Sequence, residues 1–339
     1  SAAGATPVAR RFTAAADSEL LLLGPEEPRP HALPPLPAGV SPALISHVVL
    51  RELALNPLIV DLGCPIAPAV PHLRLSRRHG AGPAACLGSG AALSPDRLSG
   101  LLELGRRWGG RQVSRRPLLL AECVPGGTST ALAVLLGLGI AAEGLVSGSL
   151  PRPAHQLKTE LARRGLQAAG LLAEAGISAE RARAVAAAVG DPMQPLAAAL
   201  SLSGSAAGRP VLLAGGSQMA AVLALALALA PADERQRLCE RVAIGTTAWV
   251  AEESGSDLAL LLQRIGERFG VRPLAFATDL HFDDSHHPCL GAYEQGYVKE
   301  GVGAGGLALL WQLRGRSPQA LAAACDRACH RLTGRGGRP

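Results

Sequence analysis

Apolar residues along the chain fall into short continuous runs, most of them closed by Gly, Pro or an acidic residue. These runs predict strands at 58–63 (LIVDLG), 117–123 (PLLLAEC), 143–149 (EGLVSGS), 184–191 (AVAAAVGD), 209–216 (RPVLLAGG), 242–250 (VAIGTTAWV) and 273–280 (PLAFATDL). Helical spacing of apolar positions predicts helices over 128–138, 155–174, 218–230 and 257–269. An earlier helix is expected to start at Ser41-Pro42 and to stop at Asn56-Pro57. Strands that are apolar on both sides and alternate with helices imply a mostly parallel sheet covered on both faces, a Rossmann-like α/β fold. In such sheets ligands bind beyond the carboxyl ends of the strands, so the residues just after each strand carry the candidate chemistry.

The two ends of the chain read differently. Residues 1–40 are Pro-rich and irregular, a segment expected to wrap a surface, and the tail after Ser317 reads as one amphipathic helix. We therefore expect an α/β core over 57–289 and a small, mainly helical lobe built from 1–56 and 290–339. The chain opens on Ser1 with no initiating Met, which suggests that it begins inside the domain.

Composition narrows the function classes. Hydrophobic residues make up 48% of the 339, enough apolar surface to exclude a disordered chain. The longest apolar stretch, 219–230, falls short of the roughly 20 residues a membrane-spanning helix needs. Net charge is +6, but the arginine pairs (Arg10-Arg11, Arg77-Arg78, Arg106-Arg107, Arg163-Arg164) are scattered and aromatics are only 3%, which argues against nucleic acid. A phosphate-bearing small molecule remains compatible. Among 33 basic residues only Lys158 and Lys299 are lysines, so these two are candidates for places where a compact, flexible ammonium is needed. Seven cysteines, odd in number and without a CxxC pair, suggest reduced thiols in the cytoplasm.

Four stretches carry candidate chemistry. In 117–135 an apolar strand ends at Glu122, and Gly126-Gly127 open a helix through Thr128, Ser129 and Thr130. Helix-start amides and hydroxyls make an anion site, with ordinary helix capping as the plain alternative. No Gly-Lys-Ser/Thr follows, so this is not a Walker loop. It partly resembles the ribose-phosphate loop of PRPP-dependent transferases, but Ala121 stands where one of their two acids should be. In 291–313, Gly301, Gly303 and Gly306 match the dinucleotide fingerprint, yet no buried strand precedes them. Glu300, directly before those glycines, is a candidate base if it is held in a dry pocket; otherwise the stretch is a glycine-rich packing turn. The loop from Asp279 to Cys289 concentrates Asp279, His281, Asp283, Asp284, His286 and His287, a composition that suits a divalent metal or simply a polar loop. Lys158 follows the predicted strand 143–149, whose turn holds Gly148 and Ser149, and could reach a phosphate over the sheet edge. Cys325, Cys329 and His330 share a helical face and are expected to pack.

Taken together, SAAGATP, ECVPGGTSTALAVLLGLG, VSGS, GDPMQ, LLAGGSQMAAVLAL, GTTAWV and YEQGYVKEGVGAGG resemble the archaeal and cyanobacterial branch of the nicotinate-nucleotide:dimethylbenzimidazole phosphoribosyltransferases. The motifs run in order from residue 1 to about residue 313, and the resemblance leads us to expect a further family strand ahead of SAAGATP that this sequence does not include. The resemblance implies transfer of 5-phosphoribose from nicotinate mononucleotide to a benzimidazole-like base, giving the α-ribazole phosphate used as a cobamide lower ligand. It assigns the catalytic base to Glu300 in KEGVGAGG, with Gly301 and Gly303 beside it, and a supporting role to Glu122. Substrate binding falls to Gly126, Gly127, Thr128, Ser129, Thr130, Gly148, Lys158, Gly301 and Gly303, with Lys158 matching the family's phosphate-binding lysine and Gly127 replacing a family Asn. It implies no cofactor and no metal, because no pyrophosphate leaves, and a homodimer by analogy. Two rival readings are a non-catalytic nucleotide- or base-binding protein and a metal-dependent hydrolase using the Asp279–Cys289 loop.

Overall fold

The computed structural model describes residues 6–26, 28–75, 82–111, 116–172 and 176–334. The first five residues of SAAGATP, and Arg77 and Arg78, lie outside the described residues.

Four strands, β3 (Leu118–Ala121), β4 (Val211–Ala214), β5 (Val242–Thr246) and β6 (Leu274–Ala277), form one sheet in sequence order. All pairs are parallel, with Leu118 opposite Val211, Val211 opposite Val242 and Ala243 opposite Leu274. Two short parallel strands, β1 (Val60–Asp61) and β2 (Leu73–Arg74), make a separate ribbon. Helices α1 (Pro7–Arg10), α2 (Thr13–Leu23) and α3 (Ala43–Glu52) precede β1, and α4 (Pro95–Gly110) precedes β3. Between β3 and β4 run α5 (Gly127–Gly137), α6 (His155–Ala168), α7 (Ala179–Val189) and α8 (Met193–Ala206). Helices α9 (Ser217–Leu229) and α10 (Arg235–Cys239) lead to β5, and α11 (Ala248–Ala251) and α12 (Leu258–Phe269) to β6. The chain ends in α13 (Pro288–Glu294), α14 (Ala304–Leu313) and α15 (Pro318–Thr333).

The strand order explains the layers. Right-handed crossovers between consecutive parallel strands place their helices on one face of the sheet, so something else must cover the other. Leu118 and Leu120 accordingly pack into a cluster with α5, α7, α9 and α12, whereas Leu119 packs into a second cluster built from α3, α13, α14 and α15. Helix α9 is apolar all round and buried from Met219 to Ala228, as a central core helix must be.

Four of the seven predicted strands form the main sheet, and 58–63 shortens to β1. The other two are corrected. Residues 143–149 are turn and loop, since Gly144 takes a φ of 76° and the carbonyls of Val146 and Ser147 accept from a lysine instead of a strand. Residues 184–191 belong mostly to α7, whose cap is the Ser178 hydroxyl accepting from Arg181 N–H. Alanine, the best helix former, fills this run, and Ala182, Val185, Ala186 and Val189 bury one helical stripe.

Candidate functional site

Beyond the carboxyl ends of β3 to β5 lies a cavity of about 560 Å³ lined by Glu122, Gly126, Gly127, Thr128, Ser129, Gly148, Lys158, Glu300 and Gly301. A second cavity of about 600 Å³ shares the turn from Glu122 to Gly127 and continues to Trp108, Thr130 and Asp191. A larger, shallower hollow of about 1050 Å³ sits by β6 and α12, but none of the site residues predicted from sequence lines it.

Glu122 is delivered by regular βα geometry, one residue past β3. Its carboxylate accepts from Val124 N–H at 2.8 Å and from Gln218 Nε2 at 2.9 Å, the latter supplied by the first turn of α9. Gly126, with a φ of 86°, turns the chain into α5, whose first turn opens on the cavity through Thr128 and Ser129. Thr130 points away from these two. Its hydroxyl donates to buried Asp191 and faces the second cavity.

Glu300 sits on an irregular loop. Val298, Lys299 and Val302 all take left-handed φ values of 53° to 63°, which β-branched residues strongly resist. Several contacts hold that backbone: Thr247 Oγ donates to Lys299 O at 2.7 Å, Ser46 Oγ to Val302 O at 2.8 Å, and Val298 N–H to Ser149 O at 3.0 Å. Val302 N–H donates to the backbone carbonyl of Glu122 at 2.9 Å, which joins the two glutamate segments directly. The Glu300 carboxylate accepts from Gly301, Gly305 and Thr247 N–H groups at 3.1 Å each and from Thr246 Oγ at 3.3 Å. Two of the fingerprint glycines serve packing, while Gly301 lines the cavity: a Cβ on Gly303 would lie 2.6 Å from Ala121 Cβ, and one on Gly306 2.4 Å from Ala214 Cβ. They let α14 lie flat across the strand ends and bring Glu300 to them.

Both lysines are buried. Lys158 Nζ donates to Ser147 O at 2.6 Å and to Val146 O at 3.2 Å beside Gly148, and Lys299 Nζ donates to Leu150 O at 2.9 Å and pairs with Glu253 at 2.6 Å. Burial brings Lys158 down to about 8, partly offset by the Glu253 charge. The acids move the other way. Burial pushes Glu122 up to about 8, with the Asp191 and Glu300 charges adding to it. Burial lifts Glu300 to about 7 against its four hydrogen bonds, which favour the anion, and lifts Asp17 to about 6.

The sequence reading missed Asp17, Ser41, Gln218, Asp191 and the Pro34–Pro37 wall, which line or support these cavities. Gln218 was legible as a position just past β4. Asp17 carries no local signal; it reaches the crevice because Ser41 Oγ donates to it at 2.6 Å and Cys123 Sγ lies 3.3 Å away. The acidic, histidine-rich loop gathers only in part: the ligand atoms of His281 and Asp283 lie within 4.8 Å of each other and of Glu294, a set that could hold a metal ion, whereas Asp279 binds Gln312, His287 neighbours His330, and Cys289 meets Cys329. Of the three residues expected to pack on one face of α15, Cys325 and Cys329 are buried in the second cluster, whereas His330 is exposed.

No family model matches the chain. A solved nicotinate-nucleotide-dimethylbenzimidazole phosphoribosyltransferase from Thermus thermophilus is 21% identical at a TM-score of 0.52, covering 85% of this chain and 71% of that one. CobT from the same organism is 20% identical at a TM-score of 0.55, covering 98% and 78%. These likenesses place the fold. No helix among the described residues is long and apolar enough to cross a membrane. A UPF0284 protein of Prochlorococcus marinus (strain MIT 9313) is 52% identical over 340 residues, 98% of this chain and 82% of that protein. Another from Gloeobacter violaceus is 47% identical over 96% of this chain and 82% of its own length, and at these identities and coverages the chain belongs to the UPF0284 family.

Proposed function

We propose that the protein is a phosphoribosyltransferase that moves 5-phosphoribose from nicotinate mononucleotide to a benzimidazole-like aromatic base, releasing nicotinate. The observation that carries this reading is the meeting of Glu300, Glu122, Lys158 and the entrance of α5 at one cavity, with a second cavity joined at Glu122 to accommodate two substrates. The motif resemblance and the fold likeness point the same way.

The chemistry follows from this inventory. The first turn of α5 and the Lys158 ammonium anchor the 5-phosphate and align the sugar. The acceptor nitrogen attacks the anomeric carbon as the bond to the pyridinium nitrogen breaks. The ring departs neutral, taking that electron pair, so no general acid is required. Glu300, raised to about 7, accepts the N–H proton that the acceptor must lose. Glu122 stabilises the cationic ribosyl centre, and the positive charge of the bound pyridinium draws both carboxyls toward their anions. Attack from the face opposite the leaving group inverts the anomeric centre. Lys299 belongs to the scaffold, because its ion pair with Glu253 fixes the strained loop.

The experiment is incubation with nicotinate mononucleotide and a panel of benzimidazoles and purines, with mass detection of ribotide and free nicotinate. Stoichiometric appearance of both supports the reading. Tight mononucleotide binding with neither product overturns it in favour of a binding protein. Turnover abolished by chelation would instead favour the metal-dependent reading of the Asp279–Cys289 loop.

A further inference from the structure

Away from the crevice, Cys289 on α13 and Cys329 on α15 bring their sulfur atoms to 2.9 Å across a separation of 40 residues. Cys289 is partly exposed, whereas Cys329 is fully buried against the second core cluster. Both helices frame the crevice lobe. Helix α13 leads into the Glu300 loop and is tied to the segment that follows the proline wall through Tyr293 Oη, which donates to Val40 O at 2.8 Å, while α15 packs on α3. We propose that Cys289 and Cys329 form a reversible dithiol–disulfide pair that clips α13 to α15 when the protein meets a low-molecular-weight disulfide such as oxidised glutathione.

The asymmetry of the pair sets the order of events. The hydrogen bond from Cys329 brings the Cys289 thiol down to about 7, and the same contact, reinforced by burial, holds Cys329 protonated. Cys289 is therefore the accessible thiolate and Cys329 the resolving thiol. The Cys289 thiolate attacks one sulfur of oxidised glutathione, breaking its S–S bond and releasing one glutathione thiolate. Cys329 then loses its proton and attacks Cys289 Sγ, expelling the second glutathione thiolate. Two protein thiols are oxidised by two electrons and one external disulfide is reduced to two thiols. The sulfurs need to approach by less than 1 Å to reach a bond length of about 2.05 Å, so closure leaves the Glu300 loop in place. Cys325, one turn before Cys329, is fully buried and its thiol is held well above its ordinary range by that burial, so it takes no part.

The inference does not depend on the phosphoribosyl reading. Its test is incubation of the folded protein with oxidised glutathione at neutral pH, alkylation of remaining thiols, peptide mapping and thermal melting. The expected result is a cross-linked peptide pair containing Cys289 and Cys329, with Tm raised by about 5 °C and both effects reversed by dithiothreitol. Cys289→Ser abolishes both effects, and Cys329→Ala leaves glutathione trapped on Cys289. Glutathione persisting on Cys289 of the unaltered protein, a cross-link to any other cysteine, or two free thiols after prolonged oxidation would each overturn the proposal.

Discussion

Glu122 and Glu300 reach one cavity from backbones of opposite character. Glu122 follows an ordinary parallel strand and is steadied by one amide and one glutamine side chain. Glu300 rides on a loop with three non-glycine residues in the left-handed region, and its carboxylate takes three amides and a hydroxyl. Regular geometry positions the first at little conformational cost. The second must be over-determined by its surroundings, since each left-handed β-branched residue costs on the order of 1–3 kcal/mol. On the proposed reaction, the difference puts precision where a base needs it, at the Glu300 carboxylate held by four donors, and leaves Glu122 to act mainly through its charge.

The sharpest way to break this contrast is Glu300→Gln. It keeps the shape of the loop but removes the proton acceptor, so turnover should fall by roughly two to four orders of magnitude while mononucleotide binding, measured by calorimetry, persists. Unchanged turnover would remove Glu300 from the chemistry. Next in size is the support of the loop. Glu253→Gln strands the buried Lys299 ammonium and should destabilise the fold by about 3–5 kcal/mol in urea unfolding. A loss within error would mean that the ion pair does not hold the loop. Gly306→Ala pushes a methyl against Ala214 and should cost about 1–3 kcal/mol while displacing Glu300, with turnover falling in parallel.

The smallest effect separates the two glutamates by pH. Glu122 is raised from 4.5 to about 8 in the folded state, so the folded protein binds more protons than the unfolded one between those values. Its contribution to stability is complete below about pH 4.5 and is lost as pH rises through about 8. Glu122→Gln should therefore leave Tm unchanged near pH 5 and raise it by a few degrees at about pH 9 relative to the unaltered protein. An equal shift at both pH values would place the effect in packing instead of charge.

Most of the sheet was legible because β3, β4, β5 and β6 are short apolar runs closed by Gly, Pro or polar residues. The errors have physical causes. The run at 184–191 is rich in alanine, which fills a buried helix as readily as a strand, and 143–149 turns its Val146 and Ser147 carbonyls to Lys158. At the site, Glu122, Lys158 and Glu300 stood out as chemistry beside glycine turns, and the structure brings them to one cavity. Gly303 packs closely on Ala121 outside the lining of that cavity, and Thr130 turns to Asp191. Asp17 and the proline wall could not be found by local pattern, because long-range folding of the N-terminal segment alone brings them to the crevice.

The most direct test of the central claim is a crystal structure with nicotinate mononucleotide bound. The account predicts the 5-phosphate at Thr128, Ser129 and Lys158, with the anomeric carbon between the carboxylates of Glu122 and Glu300. A mononucleotide seated elsewhere, such as in the hollow by β6, with both carboxylates remote from the sugar, would contradict it.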